Sequence, residues 1–291
     1  MKEICRNDLS PMRNFFLTLF LLVTWTATAQ DVTYTLIEDN PDALPRMFVV
    51  GEVFGLDGGV SNDLNFYVGG TAYLALTEKL AAEGAARVNY FSLYGRGLGI
   101  HMEGGGFLPM VTRRPKKDVP VVLKTTLFAG KDDQDRTYDE VQFINVPGTY
   151  LNQFGPRAGL YFKRSAVAWE ENFVETPTAF TLMGTYLGFE KLTQAYVKAK
   201  VDGEDKYGSG QTRLYADLLV LPIRTLADAG LDANNRPGML GMRVGMQWNK
   251  RPHRTKATGF ELHPVYTVEM GTRPYSGFFM TGSVGLILFN L

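Results

Sequence analysis

His101 and Glu103 stand two residues apart, and Glu261 and His263 repeat that spacing. In an extended strand, residues i and i+2 share a face. Each pair is placed to orient an imidazole for acid–base work or to offer two metal ligands. A working site also needs a third ligand or a nucleophile, and the sequence puts neither beside them. Neither spacing is specific, and a hydrogen-bonded structural histidine is the favoured reading of each pair. His101 is followed by Met102-Glu103, His253 by Arg254-Thr255 and His263 by Pro264-Val265, so no His-x-Ser occurs. Gly208-Ser209-Gly210 is a turn rather than the Gly-x-Ser-x-Gly elbow of a hydrolase. Gly95-Arg96-Gly97-Leu98-Gly99 and Gly104-Gly105-Gly106 lead into no helix, so they lack the N–H array that holds phosphate. The expectation is no enzyme, no cofactor and no metal.

The N-terminus reads as a secretory signal. Arg13 precedes a short apolar run from Phe15 to Val23, and Ala27-Thr28-Ala29 gives the small-x-small pattern of a cleavage site. Residues 1–29 are expected to be removed before Gln30, with Met12 an alternative start. The apolar run is shorter than the roughly 20 residues of a spanning helix. Cys5 lies upstream of it, so the mature chain is expected to have no cysteine, hence no disulfide and no thiolate site.

Lys+Arg and Asp+Glu both number 30 in the 291 residues, so nothing pulls the chain toward nucleic acid. Removing Lys2, Arg6, Arg13, Glu3 and Asp8 leaves 27 basic against 28 acidic residues, a balance of −1. A hydrophobic share of 45% excludes wholesale disorder.

The elements that must position the polar residues are strands. Leu240, Met242, Val244, Met246 and Trp248 alternate with Gly241, Arg243, Gly245, Gln247 and Asn249. The same period of two runs through 193–202, 211–222 and 259–271, where a helix would need 3.6. About twelve strands are expected, with ten to fourteen allowed: 46–56, 65–77, 82–94, 97–106, 119–130, 157–167, 178–190, 193–202, 211–222, 239–250, 259–271 and 276–290. Many approach the 9–11 residues with which a tilted strand crosses a bilayer. Residues 131–156 read as the longest loop. A soluble β-sandwich or lipocalin-like barrel would show the same alternation with its apolar face inward.

Strand length, strand number, aromatics near segment ends (Tyr67, Tyr94, Tyr186, Trp248, Tyr275) and the apolar final strand Phe278 to Leu291 resemble outer-membrane β-barrel proteins. A signal ending in Ala-Gln before such a barrel resembles proteins of the Bacteroidota. The resemblance covers most of residues 46–291 and implies an all-β, antiparallel, up-and-down transmembrane barrel in the cell outer membrane. It implies an even strand number and both termini in the periplasm, with 30–45 a periplasmic segment and 131–156 outside the cell.

Projecting the polar faces inward makes Arg87, His101, Glu103, Lys124, Lys198, Lys200, Arg213, Asp217, Arg243, Gln247, Glu261, His263 and Glu269 the lumen candidates, with Glu52, Asn89, Arg157 and Lys163. Water among them would give a passive channel for small polar or anionic solutes, with Lys198, Lys200, Arg213 and Arg243 as a cationic cluster. The alternative is a non-conducting barrel that serves as scaffold or accessory subunit of an envelope or secretion complex. Its interior charges would pair with one another. The expected partners are outer-membrane lipid, and then either such solutes or other envelope proteins.

Overall fold

A computed structural model describes residues 33–44, 46–60, 64–93, 98–131, 137–171, 174–227, 237–249 and 263–290. The predicted signal, Tyr94, the Gly95–Gly97 stretch, Glu261 and Leu291 lie outside the described residues.

Thirteen strands are described: β1 (Tyr34–Asp39), β2 (Met47–Gly59), β3 (Asn65–Thr77), β4 (Leu80–Ser92), β5 (Gly99–Phe107), β6 (Val111–Arg113), β7 (Lys116–Lys131), β8 (Thr137–Glu171), β9 (Val174–Val201), β10 (Glu204–Leu226), β11 (Leu240–Asn249), β12 (Pro264–Arg273) and β13 (Gly277–Asn290). Ten of them, β2 to β5 and β8 to β13, pair each with the next along the chain, and β13 closes on β2. Every pairing is antiparallel. The result is a closed all-β barrel of ten strands with three strands outside the ring.

The expected count of twelve differs for two reasons. Segments 178–190 and 193–202 are one strand, the 28-residue β9. Segment 119–130 is β7, which pairs with β8 outside the ring. The expected loop 131–156 is mostly strand, because β8 is 35 residues long and its first part pairs with β7 before its second part enters the wall. This β7–β8 ribbon leaves the barrel at the same end as β1 and the close of β13.

Beyond that end β8 parts from β9, and β1 takes its place as the neighbour of β9. The ribbon lies over the extended β9–β10 hairpin. Val119, Val121 and Val146 are buried there with Val197 and Ala199. The two layers approach closely: a Cβ at Gly148 would stand 2.4 Å from Val197 Cγ1, and one at Gly208 2.8 Å from the Pro120 carbonyl. The hairpin turns at Asp202 and Gly203, both at positive φ (51° and 87°), as a two-residue turn matched to strand twist requires.

In the wall the apolar face is outside. On β11, Leu240, Met242, Val244 and Met246 are 58%, 62%, 50% and 38% exposed, whereas Arg243 and Gln247 are 2% and 6%. The soluble-barrel alternative requires the opposite. A bulge on β2 between Glu52 and Gly55 resets its phase, so Val53 and Phe54 both point out while Glu52 and Asp57 both point in. The aromatics expected at the strand ends divide. Trp248 is half-exposed and stacks on Tyr266, but Tyr67, Tyr186 and Tyr275 are buried.

Candidate functional site

The barrel interior is built in three layers. At the termini end of the described chain, where β1 and the close of β13 lie, Phe48, Val50, Tyr73, Ala81, Phe107, Leu192, Val265 and Ile287 form one apolar cluster. At the other end Val167, Phe180, Leu182, Leu219, Leu221, Leu226 and Tyr275 form a second, reaching down to Tyr161 and Tyr186. Between them lies a charged layer.

That layer contains Glu52, Asp57, Glu83, Glu103, Glu190, Asp217 and Glu269 against Arg87, Arg157, Lys163, Arg213, Arg243 and Arg273, with His101. Arg87 donates to Glu52 from Nε at 2.7 Å and from Nη2 at 3.0 Å. Arg213 grips Glu190 with two bonds of 2.8 Å and also meets Glu83. Arg243 donates to Asp217 at 2.8 Å and to both oxygens of Glu103 at 2.5 and 2.6 Å. Arg273 donates twice to Asp57 at 3.0 Å, and Lys163 reaches the same carboxylate at 2.5 Å. Arg157 donates to Glu83 at 2.5 Å and lies over the rings of Tyr215 and Tyr186, 4.1 and 4.9 Å from their centroids. Charge-assisted, often two-pronged bonds of this kind fix side-chain geometry as well as charge.

The planar guanidinium groups and tyrosine rings fill the space. Tyr186 lies between Arg157 and Arg243, whose guanidinium carbon is 5.1 Å from its centroid, and its hydroxyl donates to Glu83 at 3.0 Å. A cavity of about 50 Å³ remains beside Thr71, Tyr73, Gln247 and Glu269. That is room for a few waters.

The sequence candidates fall into three groups. Arg87, His101, Glu103, Arg213, Asp217, Arg243, Gln247 and Glu269, with Glu52, Asn89, Arg157 and Lys163, lie in the barrel interior. Lys124, Lys198, Lys200 and His263 do not. Lys124 is exposed on β7, outside the ring. Lys198 and Lys200 keep the inward phase of β9 but lie past the barrel rim, where β1 pairs with β9. There Lys198 meets Asp205 at 2.6 Å and Lys200 is exposed. The expected cluster of four cations therefore does not form: only Arg213 and Arg243 are inside, each held by two carboxylates. His263 precedes β12 at the rim, where its carbonyl accepts from Ile287 N at 3.1 Å. Glu261 lies outside the described residues.

His101 Nε2 lies 2.7 Å from Glu103 Oε1, so that spaced pair does meet. Around it lie Arg243 on Glu103, Arg87 Nη1 at 3.5 Å, the Tyr161 ring with centroids 5.1 Å apart, and Lys163 opposite on β8. Among the described residues no group of three or more His, Cys, Asp or Glu is arranged to hold a metal. The reading from sequence missed Asp57, Glu83, Glu190 and Arg273. Glu83 shares the parity of Arg87, and that was a usable signal. Asp57 and Arg273 lie just past the expected strand ends. Glu190 sits on an otherwise apolar face with Tyr186 and Leu192.

A second feature crosses the mouth at the termini end. After β1 the chain must travel from beside β9 to the start of β2, five strands around a ring of ten. Residues 40–44 and 46 lie on that crossing, which begins with a short 3-10 turn, Pro41–Ala43, capped by Asn40. Pro41 and Leu44 are buried, the Pro41 carbonyl accepts from Gln194 at 3.1 Å, and Asp39 accepts from Thr149 N and Oγ1 at 2.6 and 2.7 Å. A space of about 470 Å³ remains under this strap, lined by Arg46, Glu78, Lys79, Arg114, Gln153 and Gln194 among others.

Compared with protein families, with curated proteins and with solved structures, the chain matches none. What the geometry defines is a class: closed antiparallel ten-stranded barrels with an apolar outside and a charged, filled inside.

Proposed function

We propose that this chain is an integral outer-membrane barrel that does not conduct and that serves as a scaffold or accessory subunit in the cell envelope. The outward apolar face supports the location, since a closed barrel leaves no strand edge to satisfy in lipid. The observation that carries the non-conducting role is the three-layer filling of the interior. An anion would have to cross two apolar clusters and, between them, guanidinium groups already held by carboxylates. A channel for small anions, the other reading, needs surplus positive charge and continuous water.

The scaffold role draws on the layered β1, β7–β8 and β9–β10 extension at the termini end. The resemblance to outer-membrane barrels implies that both termini are in the periplasm, so this extension would meet periplasmic proteins, and the segment expected outside the cell would lie within it. Purified protein in a planar bilayer should give no conductance steps at either polarity. Reproducible steps with anion preference would reject the non-conducting reading and restore the channel.

A further inference from the structure

The outward wall carries a groove of about 640 Å³ whose lining is almost wholly apolar. Ala216 makes its floor. That residue has Leu214 and Leu218 on its own strand, Phe189 opposite on β9 and Val244 opposite on β11. One small side chain in a field of large ones leaves a gap. Phe189 stacks on Phe154 on one side, with centroids 5.7 Å apart and planes 4° apart. Trp248, stacked on Tyr266, bounds the other side.

Lys191 stands at the mouth of the groove. It is exposed, points outward beside Phe154 and Leu214, and has no ion-pair partner among the described residues. The outward face of β9 carries Met183, Thr185, Leu187 and Phe189 before this lysine, with Thr193 next. A lysine at that level keeps its stem on apolar surface and its ammonium among headgroups.

We infer that this groove is a binding site for one phospholipid of the periplasmic leaflet, its acyl chain along Ala216 and its phosphate on Lys191. The inference rests on the membrane reading above. Apolar shape alone would accept any hydrocarbon. Lys191, without an ion-pair partner among the described residues, selects a lipid that carries a phosphate.

The test uses the full mature chain carrying W169F, which leaves Trp248, a wall of the groove, as the reporter outside the predicted signal. It is reconstituted in vesicles of digalactosyldiacylglycerol, a bilayer lipid without phosphate, with graded fractions of either brominated phosphatidylglycerol or brominated diacylglycerol. The phospholipid should quench Trp248 at membrane fractions about fivefold lower than random exchange gives, the factor one lysine near a headgroup supplies. The diacylglycerol should show no such preference. K191Q and A216F should each lose the preference while still migrating as folded barrels in unheated gels. Quenching that follows the bulk fraction in parent and variants alike would leave only annular lipid and overturn the site. Equal preference for diacylglycerol would overturn the phosphate contact. A chain that fails to float with the vesicles would reject the membrane reading itself, an outcome distinct from the other two.

Discussion

Arg87 and Glu52 share two hydrogen bonds inside the wall, and both side chains are almost fully buried. Taking two charges out of water is expensive, so such a pair contributes little net stability, but a lone survivor is left uncompensated. R87L should therefore lower unfolding stability by about 3–5 kcal/mol. R87L combined with E52Q should recover a clear part of that loss. Urea titration in detergent measures both, and a purely additive double variant would contradict the pairing. Outside the wall the sign of the rule changes. V244R puts a charge on the apolar face and should cost about 2–4 kcal/mol if that position lies near the bilayer midplane. V244L should leave the midpoint unchanged. A soluble barrel would show no such cost at a half-exposed position.

The β7–β8 ribbon is an appendage to the ring, and its two ends meet: Tyr150 N donates to the Pro115 carbonyl at 2.9 Å. Residues 116–149 can therefore be replaced by a short glycine–serine link without stretching the wall. The excised chain should still form a barrel that runs faster on gels before heating than after, because none of the ten ring pairings uses that segment. It should also bare Val197 and Ala199 and show reduced solubility. Loss of the barrel itself would mean the ribbon is needed for closure. At this scale the alternation on β11, β10 and the second half of β9 was readable in the sequence, because parity is a property of neighbouring residues. The join at residues 191–192 was not. Lys191 interrupts the outward apolar run while the phase of β9 continues unbroken. The bulge on β2 was hidden for the converse reason: two consecutive apolar residues, Val53 and Phe54, both point out.

For the whole molecule, the clusters at the two ends and the paired layer between them act in series. Opening one should not open the path. F48A with F107A thins the cluster at the termini end, yet planar-bilayer recordings of that variant should remain silent because the charged layer and the second cluster persist. The protein should also stay with membranes through a high-pH carbonate wash. Release into the supernatant would defeat the membrane reading.

The sequence by itself determined a chain of alternating strands with one apolar and one charged face, since a period of two is local and survives without any partner. Only the tertiary structure decided which face is inside, how many strands close the ring, and which charge meets which. Glu52 and Arg87 are 35 residues apart, Glu103 and Arg243 are 140 apart, and Asp57 and Arg273 are 216 apart. Such contacts depend on the order of strands around the ring and on the register between them. A one-residue shift, such as the β2 bulge, moves a charge from one face to the other, and ring closure is a property of all ten strands at once.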